Sequence, residues 1–119
     1  MLKETYVAAL KNLSKDAMKV DVGFPSIFSP SENLLSDFNE LKWEFMQKGK
    51  TEKEARKSAW KQIDFERRYR KEIESKPPVI NQLKKIKKLA EEKDVYLYCY
   101  CGKKPCHRFI LIDLIEKMN

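Results

Sequence analysis

A chain of 119 residues with 42% apolar and 36% charged side chains makes one soluble domain, and that length buries enough core to fold without metal or disulfide staples. No apolar run approaches the roughly 18 residues of a membrane span, and "MLKETYVAAL" lacks the plan of a signal peptide. Three clustered cysteines exclude a secreted disulfide framework, so a cytoplasmic chain with reduced thiols and no membrane partner is expected. The net charge of +7 favours anionic partners, either a small anionic ligand or nucleic acid.

The chain opens on "KETYVAAL", a short strand running into a turn. "MKVDVG" alternates Val20 and Val22 around Asp21 and stops at Gly23, which predicts a second strand. "GFPSIFSP" carries two prolines and a glycine and is a loop. Its end predicts a helix start, with Ser29 as N-cap, Pro30 in the first helical position and Glu32 three residues after the cap. Leu34, Phe38, Leu41 and Phe45 follow on one helical face, which ends near Gly49.

Thr51 and Glu54 form a second capping box. Beyond it Ala55, Ala59 and Ile63 share one face, whereas Phe65, Tyr69 and Ile73 share nearly the opposite one. A helix break near Ile63, or a change of buried face, accounts for the shift. Pro77 and Pro78 stop this segment, and Pro78 opens a helix in which Lys84, Lys85, Lys87 and Lys88 flank an apolar stripe of Val79, Leu83, Ile86 and Ala90. Aromatics and arginines do not interleave with these lysines, so a solvated face is expected there rather than a nucleic-acid contact.

"VYLYCYC" alternates Val95, Leu97, Cys99 and Cys101 with three tyrosines, so both faces carry bulky or apolar groups. That is the pattern of a central strand covered on both sides. In "HRFILIDLIEKM" only Asp113, Glu116 and Lys117 form a polar stripe, which predicts a mostly buried helix. Strands separated by helices predict a single α/β domain over residues 1–119, with a small, mainly parallel sheet sandwiched by helices.

All three cysteines and the single histidine fall within "YLYCYCGKKPCHRFI". The stretch leaves a central strand at its carboxyl end, where open α/β sheets bind ligands, and enters a helix whose first N–H groups and dipole attract anions. Lys103, Lys104 and Arg108 add positive charge. A phosphate, a carboxylate or a thiolate would be favoured there. Four readings follow: a reactive Cys106, an anion-binding loop, a zinc site and simple packing.

Zinc has the ligand count but not the geometry. Cys99 and Cys101 lie about 6.6 Å apart along a strand, adjacent residues Cys106 and His107 diverge by about 100° on a helix, and C-x-C-x4-C-H matches no recurring zinc spacing. Neither metal nor cofactor is expected. Phosphatase loops place arginine six residues after cysteine, whereas Arg108 is seven after Cys101 and two after Cys106. The phosphatase assignment is therefore set aside and the anion-binding loop kept. Cys99 is expected to pack in the core. His107 shares a stripe with Leu111, Leu114 and Met118, so packing and function both remain open for it, as they do for Cys106.

"VYLYCYCGKKPCHRFILIDLI" resembles the strand, Cys-His-Arg turn and apolar helix near the end of the domain of unknown function 488 family. "TYVAALKNLSKD" is similar to the N-terminal segment of its archaeal members, "VDVGFPSIFSPSENLLSDF" to its strand, proline-bearing loop and first helix, and "FERRYRKEI" to its F-x-x-x-Y-x-x-E/I helix. The resemblance implies an α/β fold and a site around Cys106, His107 and Arg108; it implies no activity. Many members have an acidic residue where this chain has Cys101, and an arginine where it has Gly23.

The expectation is a small anion-attracting pocket at the strand-to-helix junction. Cys106 is its reactive group, Arg108 its anion contact, His107 the orienter or proton carrier, and Cys101 a secondary thiol. Such a site suits a thiol-dependent enzyme on a phosphate- or nucleotide-bearing substrate. The alternative is a non-catalytic module that binds nucleic acid through its basic surface.

Overall fold

A computed structural model describes residues 1–99 and 104–118. Three parallel strands, β1 (Leu2–Tyr6), β2 (Met18–Asp21) and β3 (Val95–Cys99), form a sheet in the order β1-β3-β2. β3 is the interior strand, paired from Leu2↔Val95 to Tyr6↔Cys99 on one side and from Met18↔Val95 to Asp21↔Tyr98 on the other. Its period-2 pattern is why it lies there. Val95, Leu97 and Cys99 are buried, while Tyr96 and Tyr98 on the opposite face are half-buried. A 3-10 helix, Val7–Asn12, follows β1.

Among the described residues five α-helices join the sheet in this α/β fold: α1 (Glu32–Gln47), α2 (Glu52–Gln62), α3 (Phe65–Glu74), α4 (Pro77–Glu92) and α5 (His107–Glu116). α4 and α5 pack on β3, and α5 reaches β1 as well. One continuous core joins Leu34 and Phe38 of α1, Phe65, Tyr69 and Ile73 of α3, Leu83 of α4, Leu97 of β3 and Leu111 of α5. No helix among the described residues is long and apolar enough to cross a membrane.

The start of α1 corrects the sequence expectation. Ser31, not Ser29, is the N-cap, and its Oγ accepts from Leu34 N–H at 3.2 Å. Pro30 therefore precedes the cap. Ser31 wins because Glu72 of α3 accepts both its N–H (2.9 Å) and its Oγ–H (2.6 Å). Ser29 instead closes a turn, its Oγ donating to Ser26 O at 2.7 Å.

The other boundaries follow their local chemistry. α1 ends at Lys48 and Gly49, where φ is +97°, a left-handed conformation that glycine adopts without strain. Thr51 caps α2 as expected, accepting from Glu54 N–H at 3.2 Å. The phase shift near Ile63 is a true break: Asp64 sits at φ 56° and restarts the chain as α3 with a different buried face. α4 begins one residue earlier than expected, at Pro77.

Candidate functional site

The site lies at the carboxyl ends of the strands. Cys106 is the N-cap of α5 with extended backbone (φ −148°, ψ 148°), so its side chain stands at the helix's positive end. β3 delivers Cys99 to the same point, and the two Sγ atoms are 3.2 Å apart. Both side chains are almost wholly enclosed, Cys99 at 3% and Cys106 at 4% exposed. Both thiols therefore lie in one layer of the core, packed against the apolar face of α5.

His107 begins α5 and is buried. Its Nε2 is hydrogen-bonded to the carbonyl of Val22, just past β2. A carbonyl only accepts, so Nε2 carries the proton and, in the neutral ring, Nδ1 is the acceptor. That Nδ1 lies 3.7 Å from Cys106 Sγ. The edge of the imidazole meets the Tyr69 ring, with centroids 5.6 Å apart.

Arg108 is 2% exposed and spans two partners. Its Nε donates to Glu4 Oε2 at 2.7 Å, and its Nη1 donates to Cys99 Sγ at 2.8 Å. Burial favours loss of its proton, but the Glu4 hydrogen bond and the negative charge available on Cys106 and Cys99 outweigh it, so the net pKa direction is upward. Burial likewise pushes the Tyr69 phenol well above its ordinary value of 10.0, with Cys106 and Glu72 adding to the rise. Tyr69 stays a neutral donor, bonded to Phe28 O.

Two clefts meet at Cys106. One of about 250 Å³ runs between the Gly23–Phe24 loop and the first three helices, and Phe38, Arg56, Trp60, Cys99, Cys106 and His107 line it. The other, about 800 Å³ and more open, is lined by Lys104, Pro105, Cys106, Phe109 and Arg70 among others. Aromatic packing shapes the smaller cleft: Trp60 stacks on Phe65 at 3.9 Å, and Phe38 meets both edge-on.

The structure thus brings Cys106, His107 and Arg108 together and adds Cys99, which the sequence suggested was only core. Lys104 is exposed, lines the larger cleft, and holds its Nζ 5.1 Å from the Phe109 ring centroid. Cys101 and Lys103 lie outside the described residues. Among the described residues, no group of three or more His, Cys, Asp or Glu side chains is placed to hold a metal ion. Sequence reasoning missed Glu4 and Arg56. A charged residue inside the otherwise alternating β1 was a signal for the first. The second has no such local signal, standing among the lysines and glutamates of "EKEARKSAW".

Fold and site together define a small α/β protein with paired thiols, an imidazole and a guanidinium at the end of its central strand. The chain belongs to the DUF488-N3a family, described as the active DUF488-N3 subclade, whose model matches residues 5–119. Neither the curated proteins nor the solved structures yielded a match.

Proposed function

We propose that this protein is a thiol-dependent enzyme acting on a small, phosphate-bearing substrate, with Cys106 as the nucleophile. The observation that carries the reading is the pairing of Cys106 Sγ with the acceptor nitrogen of His107 at the floor of an open cleft. His107 Nδ1 takes the thiol proton. Sγ then attacks an electrophilic centre of the substrate, and the leaving group departs with the bonding pair and recovers the proton from the imidazolium. Val22 O keeps the ring in the tautomer this requires. Arg108 serves the site's own anion: its positive charge, passed through Cys99, favours a thiolate at Cys106. The α4 lysines line neither cleft.

Alkylation of the native chain across a pH series, with each cysteine resolved by peptide mapping, tests the reading. Cys106 should react with a midpoint below about 8.5, the value of an unperturbed thiol. A midpoint at or above that value, or a Cys106 that reacts only after unfolding, would leave it as packing.

A further inference from the structure

We infer that Arg56 is the anion anchor of the smaller cleft, which takes a molecule with one oxyanion, phosphate or carboxylate, on a flat apolar body. The inference rests on the thiol-centred reading for what happens at Cys106, but not for the binding itself.

Arg56 projects from α2 and is only 9% exposed. Its Nη2 donates to Pro105 O, in the segment leading to Cys106, and its guanidinium lies 5.3 Å from the Phe38 ring centroid. Its buried Nε has no hydrogen-bond partner among the described residues. Nor does any carboxylate among them form an ion pair with it, although Glu52 stands one turn earlier along the same wall. The other buried arginine, Arg108, has its carboxylate in Glu4.

A buried charge without a counterion is costly. One carbonyl and one aromatic face compensate it only in part, since a cation–π contact contributes about 0.5–2 kcal/mol. An oxyanion from outside would complete the set, taking up the guanidinium hydrogens that Pro105 leaves free. The same cleft holds Cys106 and His107, so an anion on Arg56 places the rest of its molecule against the reacting sulfur.

The dimensions restrict that molecule. A cleft of about 250 Å³ is below the usual range of about 300–1,000 Å³ for small-molecule sites. Its walls are the rings of Phe24, Phe38, Trp60 and Phe65. A single ring with one anionic group fits this space; a dinucleotide does not. On the far side of Arg56 a second opening is lined by the exposed Lys53 and Lys104 and by Glu52, which leaves the local charge positive.

Binding of phenyl phosphate, benzoate and uncharged phenol to the full chain, followed by chemical-shift titration, is the test. Wild type should bind at least one of the two anions, and which one distinguishes phosphate from carboxylate; phenol should bind at least tenfold more weakly. Arg56→Met should lose tenfold or more, Arg56→Lys should retain part of the affinity, and Lys53→Met should change it less than threefold. Anion affinity that falls in Arg56→Met while the Cys106 alkylation midpoint stays that of wild type separates this inference from the thiol reading. Equal binding by Arg56→Met and wild type, or no anion bound by wild type, overturns it. Should Arg56→Met fail to fold, the decision passes to Arg56→Lys: affinity unchanged from wild type would then overturn the inference, because lysine lacks the planar fork.

Discussion

The guanidinium of Arg108 donates to Cys99 Sγ at 2.8 Å while its other edge is held by Glu4 at 2.7 Å. One buried cation therefore ties the outer strand β1 to the thiol of the central strand and to the first turn of α5. Breaking a buried pair by removing one partner costs about 3–5 kcal/mol. The Glu4 side chain is 33% exposed, so water offsets part of that loss. Glu4→Gln should therefore destabilise the chain by about 2 kcal/mol, read as a lower urea midpoint at unchanged slope. An unchanged midpoint would mean that solvent already screens the pair.

Ser31 and Glu72 should be energetically coupled. Ser31 Oγ both accepts from Leu34 N–H and donates to Glu72, so either substitution breaks the same small network. A double-mutant cycle with Ser31→Ala and Glu72→Gln should give an interaction energy of about 1 kcal/mol. The same cycle with Ser29→Ala should be additive, because Ser29 bonds only within its own turn.

That network also marks where sequence reading stops. Ser29 and Ser31 both precede a helical run and both have an acceptor of suitable size, so local pattern does not separate them. The choice is made by a carboxylate 41 residues away. Thr51 was legible because its box partner is local, and β3 because alternation alone specifies an interior strand. Cys106, His107 and Arg108 were legible as a cluster of unusual chemistry. Arg56 was not, because among the lysines and glutamates of "EKEARKSAW" it reads as one more solvated charge. Only the approach of Phe38 and Pro105, both far along the chain, buries it.

Tyr69 should make stability fall in alkaline solution. Its folded pKa is raised, so above about pH 10 the unfolded phenol loses its proton while the folded one keeps it. The native state then binds more protons, and stability falls with pH by up to about 1.4 kcal/mol per unit until the folded pKa is reached. Below pH 10 both states are protonated and the contribution is constant. Tyr69→Phe should abolish this share of the alkaline slope. At neutral pH it should cost about 1 kcal/mol, because Phe28 O loses its donor. Wild type and variant showing the same dependence of denaturation midpoint on pH, from 9 to 11, would contradict this.

Cys99 should control the reactivity of Cys106. Arg108 donates to Cys99 Sγ, and Cys99 Sγ lies 3.2 Å from Cys106 Sγ; an S–H donated across that distance by Cys99 favours the thiolate at Cys106. A hydrogen bond to a charged group contributes about 1.5–3 kcal/mol, and one pKa unit corresponds to about 1.4 kcal/mol. A thiol is a weak donor, so the lower end applies. Cys99→Ala should then move the Cys106 alkylation midpoint up by about one pH unit, and Cys99→Ser, which keeps a donor, should restore most of it. The alanine variant also opens a small void, which on its own would speed access of the alkylating agent at every pH. A loss of donor shifts the midpoint; a gain of access raises the plateau rate and leaves the midpoint in place. If Cys99→Ala raised only the plateau, Cys99 would be filling space, and the positive charge of Arg108 would not reach Cys106 through it.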